Sequence, residues 1–207
     1  MTSITAITLE APDPAAAGDF YNNAFDLGDR LAVRPANGAP SSGFRGFTLS
    51  LVVGQPSTVD ALIGSAVAAG AKTIKDPKKS FWGYGGVVQA PDGALWKVAT
   101  SSKKDKGPAT RAIEDMVVLL GVDDVKASKR FYVEHGLTVG KSFGGKYVEF
   151  AAAPNAGVKL ALYKRDALAK DAGVPPAGSG SHRIAIGSDA AAFVDPDGFV
   201  WEPARAS

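Results

Sequence analysis

Cysteine is absent from all 207 residues. That one absence excludes disulfides, zinc-thiolate centres and thiol nucleophiles together. Histidine is almost absent as well: only His135 and His182 occur, so no site within one chain can use three imidazoles. Nowhere do about 18 apolar residues run consecutively, which leaves no ordinary membrane-spanning helix. Charge of one sign is not in excess either. The net charge is +2 from 23 basic and 21 acidic residues, too little to imply a nucleic acid or an anionic membrane surface as partner. The opening MTSITAITLEAPDP has no basic stretch ahead of an apolar run and reads as a strand, not an export signal. A cytoplasmic protein is the expectation.

What is present is an ordinary globular composition, 45% hydrophobic and 21% charged, in a chain long enough to bury a sizeable core. The chain also repeats itself. DPAAAGDFYNNAFDLG (13–28) matches DVKASKRFYVEHGLTVG (124–140) in the leading aspartate, the Phe-Tyr pair and the glycine that follows. Each stretch comes after an apolar strand, ITAITLEA (4–11) or MVVLLGV (116–122). Asp13 and Asp124 stand at helix starts, where a carboxylate can accept orphan backbone N–H groups. Phe20-Tyr21 and Phe131-Tyr132 fall in the apolar stripe of the two helices. QAPDGALWKVA (89–99) matches VDPDGFVWEPA (194–204) in turn, tryptophan and final alanine. At the one polar position of that strand the charge reverses, Lys97 against Glu202.

Between these motifs the first half reads as strand GFTLSLVV, a helix over 57–70 capped by Ser57 with Asp60 completing a capping box, and three strands around a Pro-Asp-Gly turn. SSKKDKGPATR (101–111) reads as a solvated linker. The second half repeats strand, helix and three strands. A short helix over 165–173, a loop and the strand HRIAIGSD follow, and the chain then runs almost directly into AAFVDPDGFVWEP. No second long helix intervenes there, while PANGAPSSG stands in the first half where two strands would be. Each half lacks a different piece.

A strand opening onto aspartate, a helix carrying Phe-Tyr and a closing D-P-D-G-x-x-x-E strand together resemble the vicinal oxygen chelate superfamily. Glyoxalase I, bleomycin-resistance proteins, fosfomycin-resistance enzymes and extradiol dioxygenases belong to it. The resemblance implies paired βαβββ modules whose sheets curl into a cup. In metal-dependent members it also implies inward-facing His, Gln or Glu ligands on the strands of that cup. Ligands commonly stand seven residues before the strand-ending aspartate. Counting back from Asp13 and Asp124 gives Ala6 and Val117, which cannot bind a metal; counting back from Asp189 gives His182, which can. On the closing strands the family glutamate falls on Glu202 and on Lys97, whose ammonium cannot ligate while charged. Two protein ligands make a poor site for zinc, nickel or iron; Tyr147 or Glu149 could supply a third, though nothing in the sequence places them nearby. The plain alternative is that His182 and Glu202 are hydrogen-bonded or ion-paired polar groups in a cavity.

With period 2, His182, Ile184 and Ile186 share one face of HRIAIGSD. In FWGYGG (81–86), Trp82 and Tyr84 are similar to the family's cavity-rim aromatics, and core packing accounts for them equally well. Trp96 and Trp201 face the other side of their strands and read as core. His135 reads as a surface residue ending a helix. GYGG is not followed by a helix, so it is no phosphate-cradling loop. No G-x-S-x-G nucleophile motif occurs.

The expected fold is α+β, with duplicated, partly trimmed βαβββ modules forming cupped mixed sheets. Residues 1–100 form a first half, 101–111 a linker and 112–207 a second half. The leading functional expectation is binding of a small organic molecule in the cup without bound metal. Trp82, Tyr84, Lys97, Tyr147 and Glu149 are the candidate ligand contacts. A metal-dependent glyoxalase-like lyase using His182 and Glu202, and a non-catalytic dimerising module, are the alternatives. Neither a nucleic acid nor a membrane is expected as partner, and a homodimer is left open.

Overall fold

A computed structural model of the chain describes residues 2–37, 40–152 and 156–204. The chain passes through four strand-and-helix units in succession. The first holds β1 (Ile4–Ala11), α1 (Pro14–Ala24), β2 (Leu31–Pro35) and the two-residue β3 (Ser42–Gly43). The second is complete: β4 (Phe47–Val52), α2 (Pro56–Ala68), β5 (Lys72–Ser80), β6 (Gly83–Gln89) and β7 (Leu95–Thr100). So is the third: β8 (Asp115–Val122), α3 (Val125–Glu134), β9 (Val139–Phe143), β10 (Tyr147–Phe150) and β11 (Lys159–Lys164). After α4 (Arg165–Ala172) and β12 (Gly178–Ser179), the last unit has β13 (Ile184–Ser188), β14 (Phe193–Val194) and β15 (Val200–Pro203), with no helix between them. The trimming anticipated from the sequence is therefore real: one end unit lacks strands and the other lacks its helix.

The two complete units join in an eight-stranded sheet, β5-β6-β7-β4-β8-β11-β10-β9, and the two trimmed ones in a five-stranded sheet, β14-β15-β13-β1-β2. Both joints are built alike. Opening strands lie antiparallel at the centre, β4 against β8 and β1 against β13, and each is flanked by a parallel strand of its own unit. Phe47–Val52 sits between two neighbours and is buried on both faces through Leu51, its polar Thr48 and Ser50 included.

One continuous core lies between the sheets. Ile7, Leu9, Ile184, Ile186 and Trp201 of the smaller sheet share it with Leu49, Trp96, Val98 and Val118 of the larger one and with the buried sides of α1, α2 and α3. Asp13 and Asp124 cap their helices as expected, accepting from Ala16 N at 3.0 Å and from Lys126 N at 2.8 Å. Ser57 does not cap α2. That helix starts one residue earlier with Pro56 in its first turn, and the Ser57 N–H donates instead to Asp105 of the 101–111 segment at 2.7 Å. Gln55 ties the same segment down through the carbonyls of Gly107 and Pro108. The segment is exposed yet anchored. Residues 38 and 39 of PANGAPSSG lie outside the described residues; its remainder ends β2 and forms β3. No helix of the described residues is long and apolar enough to cross a membrane.

Candidate functional site

The sheet faces turned away from the common core are the floors of two cups, and alternation decides which side chains reach them. On the larger sheet Trp96 and Val98 enter the core, so Leu95, Lys97 and Ala99 face the cup. Much of this cup is already filled. Helix α4 crosses it and buries Leu168, Ala169 and Ala172 against Phe44 and Leu95, with Leu119 and Tyr163 packed alongside. Polar contacts fasten the helix at both ends. Arg165 donates to the Phe44 carbonyl at 2.7 Å, Lys75 Nζ donates to the Asp171 carbonyl at 2.6 Å, and Lys97 Nζ meets the Asp171 carboxylate at 2.7 Å. A lysine near the last turn also suits the helix dipole.

Beyond α4 a cavity of about 270 Å³ remains, lined by Lys75, Lys78, Trp82, Lys97 and Asp171 among others. Gly83, Gly85 and Gly86 are among its lining residues, and Gly85 shares the cup-facing parity of Lys97 and Ala99. Gly83, at φ 140°, has no space for more, because a Cβ there would lie 2.0 Å from the Thr100 carbonyl oxygen. Of the anticipated ligand contacts, Trp82 and Lys97 meet at this cavity. Tyr84 also lines it, but its hydroxyl donates to Asp60 of α2 at 2.8 Å, on the core side of the sheet. That is also where the expected capping-box carboxylate is engaged. Tyr147 and Glu149 lie farther along the sheet on β10, outside this cavity's lining. The Tyr147 hydroxyl donates to Glu149 at 2.8 Å, and Lys141 stands 3.7 Å from the same carboxylate. Burial first, then the neighbouring Glu149 carboxylate, raises the Tyr147 phenol well above its usual range.

On the smaller sheet the register sets Gly187 opposite Ala6 and beside Glu202. Neither Ala6 nor Gly187 offers a donor. Glu202 is held by Arg34 of β2, whose Nη1 donates to both carboxylate oxygens at 2.8 and 2.9 Å. The other edge of that guanidinium binds Glu10 of β1 at 2.8 and 3.1 Å. Burial pulls the Arg34 ionisation down, but its two carboxylates outweigh that and hold it above the ordinary value.

His182 takes no part in this cluster. Strand β13 begins only at Ile184, and Arg183 before it has φ of +59°, so the alternation that would set His182 beside Ile184 and Ile186 is broken there. Ile184 and Ile186 enter the core; the imidazole stacks on Phe199 at 4.0 Å. Its Nδ1 lies 2.5 Å from the Arg45 carbonyl oxygen and its Nε2 3.0 Å from that of Asp197. Gly46 lets this ring in: at φ +82°, a Cβ there would stand 3.1 Å from the imidazole.

The donor chemistry does not fit a divalent metal. Both His182 nitrogens face carbonyl oxygens, both Glu202 oxygens face a guanidinium, and Tyr147 and Glu149 are on the other sheet. Among the described residues no three His, Asp or Glu side chains cluster to hold an ion. Sequence reasoning missed Arg34, Glu10 and Asp171. Glu10 could have been found, since it shares parity with Ala6 and so must face the same cup. Arg34 lies in LAVRP, a strand too short and too close to proline to stand out.

No protein-family profile matches the chain, and no curated protein sequence does. Solved structures do. Glyoxalase I from Zea mays superposes with a TM-score of 0.60 at 14% identity, covering 97% of this chain and 91% of that one. A protein of Bacillus subtilis provisionally assigned as a dioxygenase gives a TM-score of 0.60 at 12% identity, covering 96% and 83%. At such identities the likeness concerns the fold. With its paired cupped sheets and nearly full-length superposition, the chain has the fold of the vicinal oxygen chelate superfamily, the fold of glyoxalase I.

Proposed function

We propose that this protein binds a small, planar, negatively charged organic molecule without a metal ion, in the cavity at the end of the eight-stranded cup. The observation that carries this reading is the cavity wall, where Trp82, Lys78 and Lys97 line one space together with several glycines. An indole offers a stacking face and Lys78 offers charge, with Lys97 available to an anion that competes with Asp171 for its ammonium, while the glycines admit a flat ring closely. The Arg34 clamp on Glu202 and the carbonyl partners of His182 support a binder over the glyoxalase-like lyase. A lyase would need both groups freed for a metal before chemistry could begin.

A thermal-shift screen of aromatic and heteroaromatic carboxylates tests the reading. A ligand at 100 times its Kd should stabilise the fold by about 2.7 kcal/mol. Lys97→Ala and Trp82→Ala should each abolish most of that gain. Absence of a shift with every anion sinks the proposal, and stoichiometric nickel or zinc in protein purified without chelator would restore the lyase reading.

A further inference from the structure

The hairpin joining β5 to β6 ends in two bulky aromatics that nothing covers. Phe81 is 81% exposed and Trp82 83%, their rings edge to face at 5.0 Å. Phe81 is not part of the cavity lining, so ligand binding does not explain it. Lysines surround the tip. Lys78 and Lys79 precede it on β5, and Lys103 of the anchored segment places its ammonium 5.7 Å from the centre of the Phe81 ring. Between Lys72 and Lys106 the chain carries eight lysines against three aspartates, far more than the net charge of +2 suggests. Two of those aspartates are already committed, Asp92 to the Tyr21 hydroxyl and Asp105 to the Ser57 N–H. Lysines on an outer strand guard against sheet-to-sheet association, which accounts for β5 but not for a naked Phe-Trp pair at its end.

We infer that this hairpin tip is a docking point for an anionic lipid surface. The tip protrudes, so its partner must accept an inserted point, as the interfacial layer of a bilayer does for tryptophan and phenylalanine. The lysines around it add attraction that only a negatively charged leaflet supplies. The whole-chain charge concealed this, because the remaining residues are net acidic.

Co-sedimentation of the full chain with vesicles tests it. Binding is expected to phosphatidylcholine vesicles containing about 30% phosphatidylserine, and to be at least roughly tenfold weaker with phosphatidylcholine alone or with Lys78→Glu/Lys79→Glu. Phe81→Ser should weaken it similarly, whereas Lys97→Ala, inside the cavity, should leave it unchanged. Trp96 and Trp201 are buried, so a blue shift of tryptophan emission on binding reports Trp82. Failure to sediment at low salt overturns the inference. So does sedimentation indifferent to Phe81→Ser, or an equal blue shift with soluble polyglutamate, which would point to an acidic protein.

Discussion

Two tyrosines show how the Phe-Tyr and Pro-Asp-Gly motifs belong together. Tyr21 of α1 donates to Asp92 at 2.7 Å, and Tyr132 of α3 donates to Asp195 at 2.5 Å. Each ring also packs 5.4 Å from a tryptophan, Trp96 or Trp201. Helix and closing strand thus come from different units in both places, so each motif pair is a rivet between the sheets. The copies are not identical. Tyr132 uses the aspartate that opens D-P-D-G, whereas Ala90 occupies that place in the first copy and Tyr21 turns to Asp92 instead. Asp197, the counterpart of Asp92, is then left for the Ser128 hydroxyl and the Asp123 N–H. Burial is the leading cause that raises the Tyr21 and Tyr132 phenols well above their ordinary value. A raised folded value means that their stabilising contribution is complete below about pH 10 and is lost as pH climbs beyond it. Phenolate absorbance at 295 nm should rise later in the native protein than in denaturant, and should then coincide with unfolding. A native titration centred at the free-tyrosine value would refute this. Arg34→Ala belongs to the same scale: it strands Glu10, whose side chain is only 14% exposed. A loss of about 1–2 kcal/mol in urea unfolding is expected, between the values for exposed and buried pairs. Glu202→Gln should cost less.

Among the elements, those governed by neighbouring residues were legible and those completed from afar were not. The Asp13 and Asp124 caps act across three residues, and both were foreseen. The cap of α2 was misassigned to Ser57 because the true acceptor is the Asp105 carboxylate, 48 residues away. Asp105→Ala should destabilise the protein by about 1 kcal/mol, measurable as a lower urea midpoint with unchanged slope. The site suffered more than the fold for the same reason. Lys97 and Trp82 were found within one 16-residue stretch of adjoining hairpins, 82–97, but the grip on Glu202 spans 168 residues and the β13 alternation fails at a single residue with positive φ. Helix α4 was recognised as a helix, yet nothing local says that it enters the cup. Leu168→Ala, fully buried there, should cost about 2–3 kcal/mol and leave a void against Phe44 and Leu95. A crystal structure of that variant would reveal whether α4 stays in place.

At the level of the whole molecule, both sheets draw their central strands from opposite ends or opposite sides of the 101–111 segment. Cutting there removes the partner of β4 and of β1 at once and opens the common core. Residues 1–100 alone are expected to give a collapsed or aggregated species with poor amide dispersion, and a well-dispersed monomeric spectrum would contradict the shared-core architecture. Mixing the two fragments should restore order.

The β1–β13 joint also sets a clock on synthesis. Strand β1 ends at Ala11 and its partner begins at Ile184, so its inner edge emerges from the ribosome long before anything exists to cover it. At about 5–20 residues per second that wait is roughly nine to thirty-five seconds. The β4–β8 joint closes far sooner, across a shorter loop. The eight-stranded sheet therefore has time to assemble first and to serve as the template on which the ends of the chain finally meet.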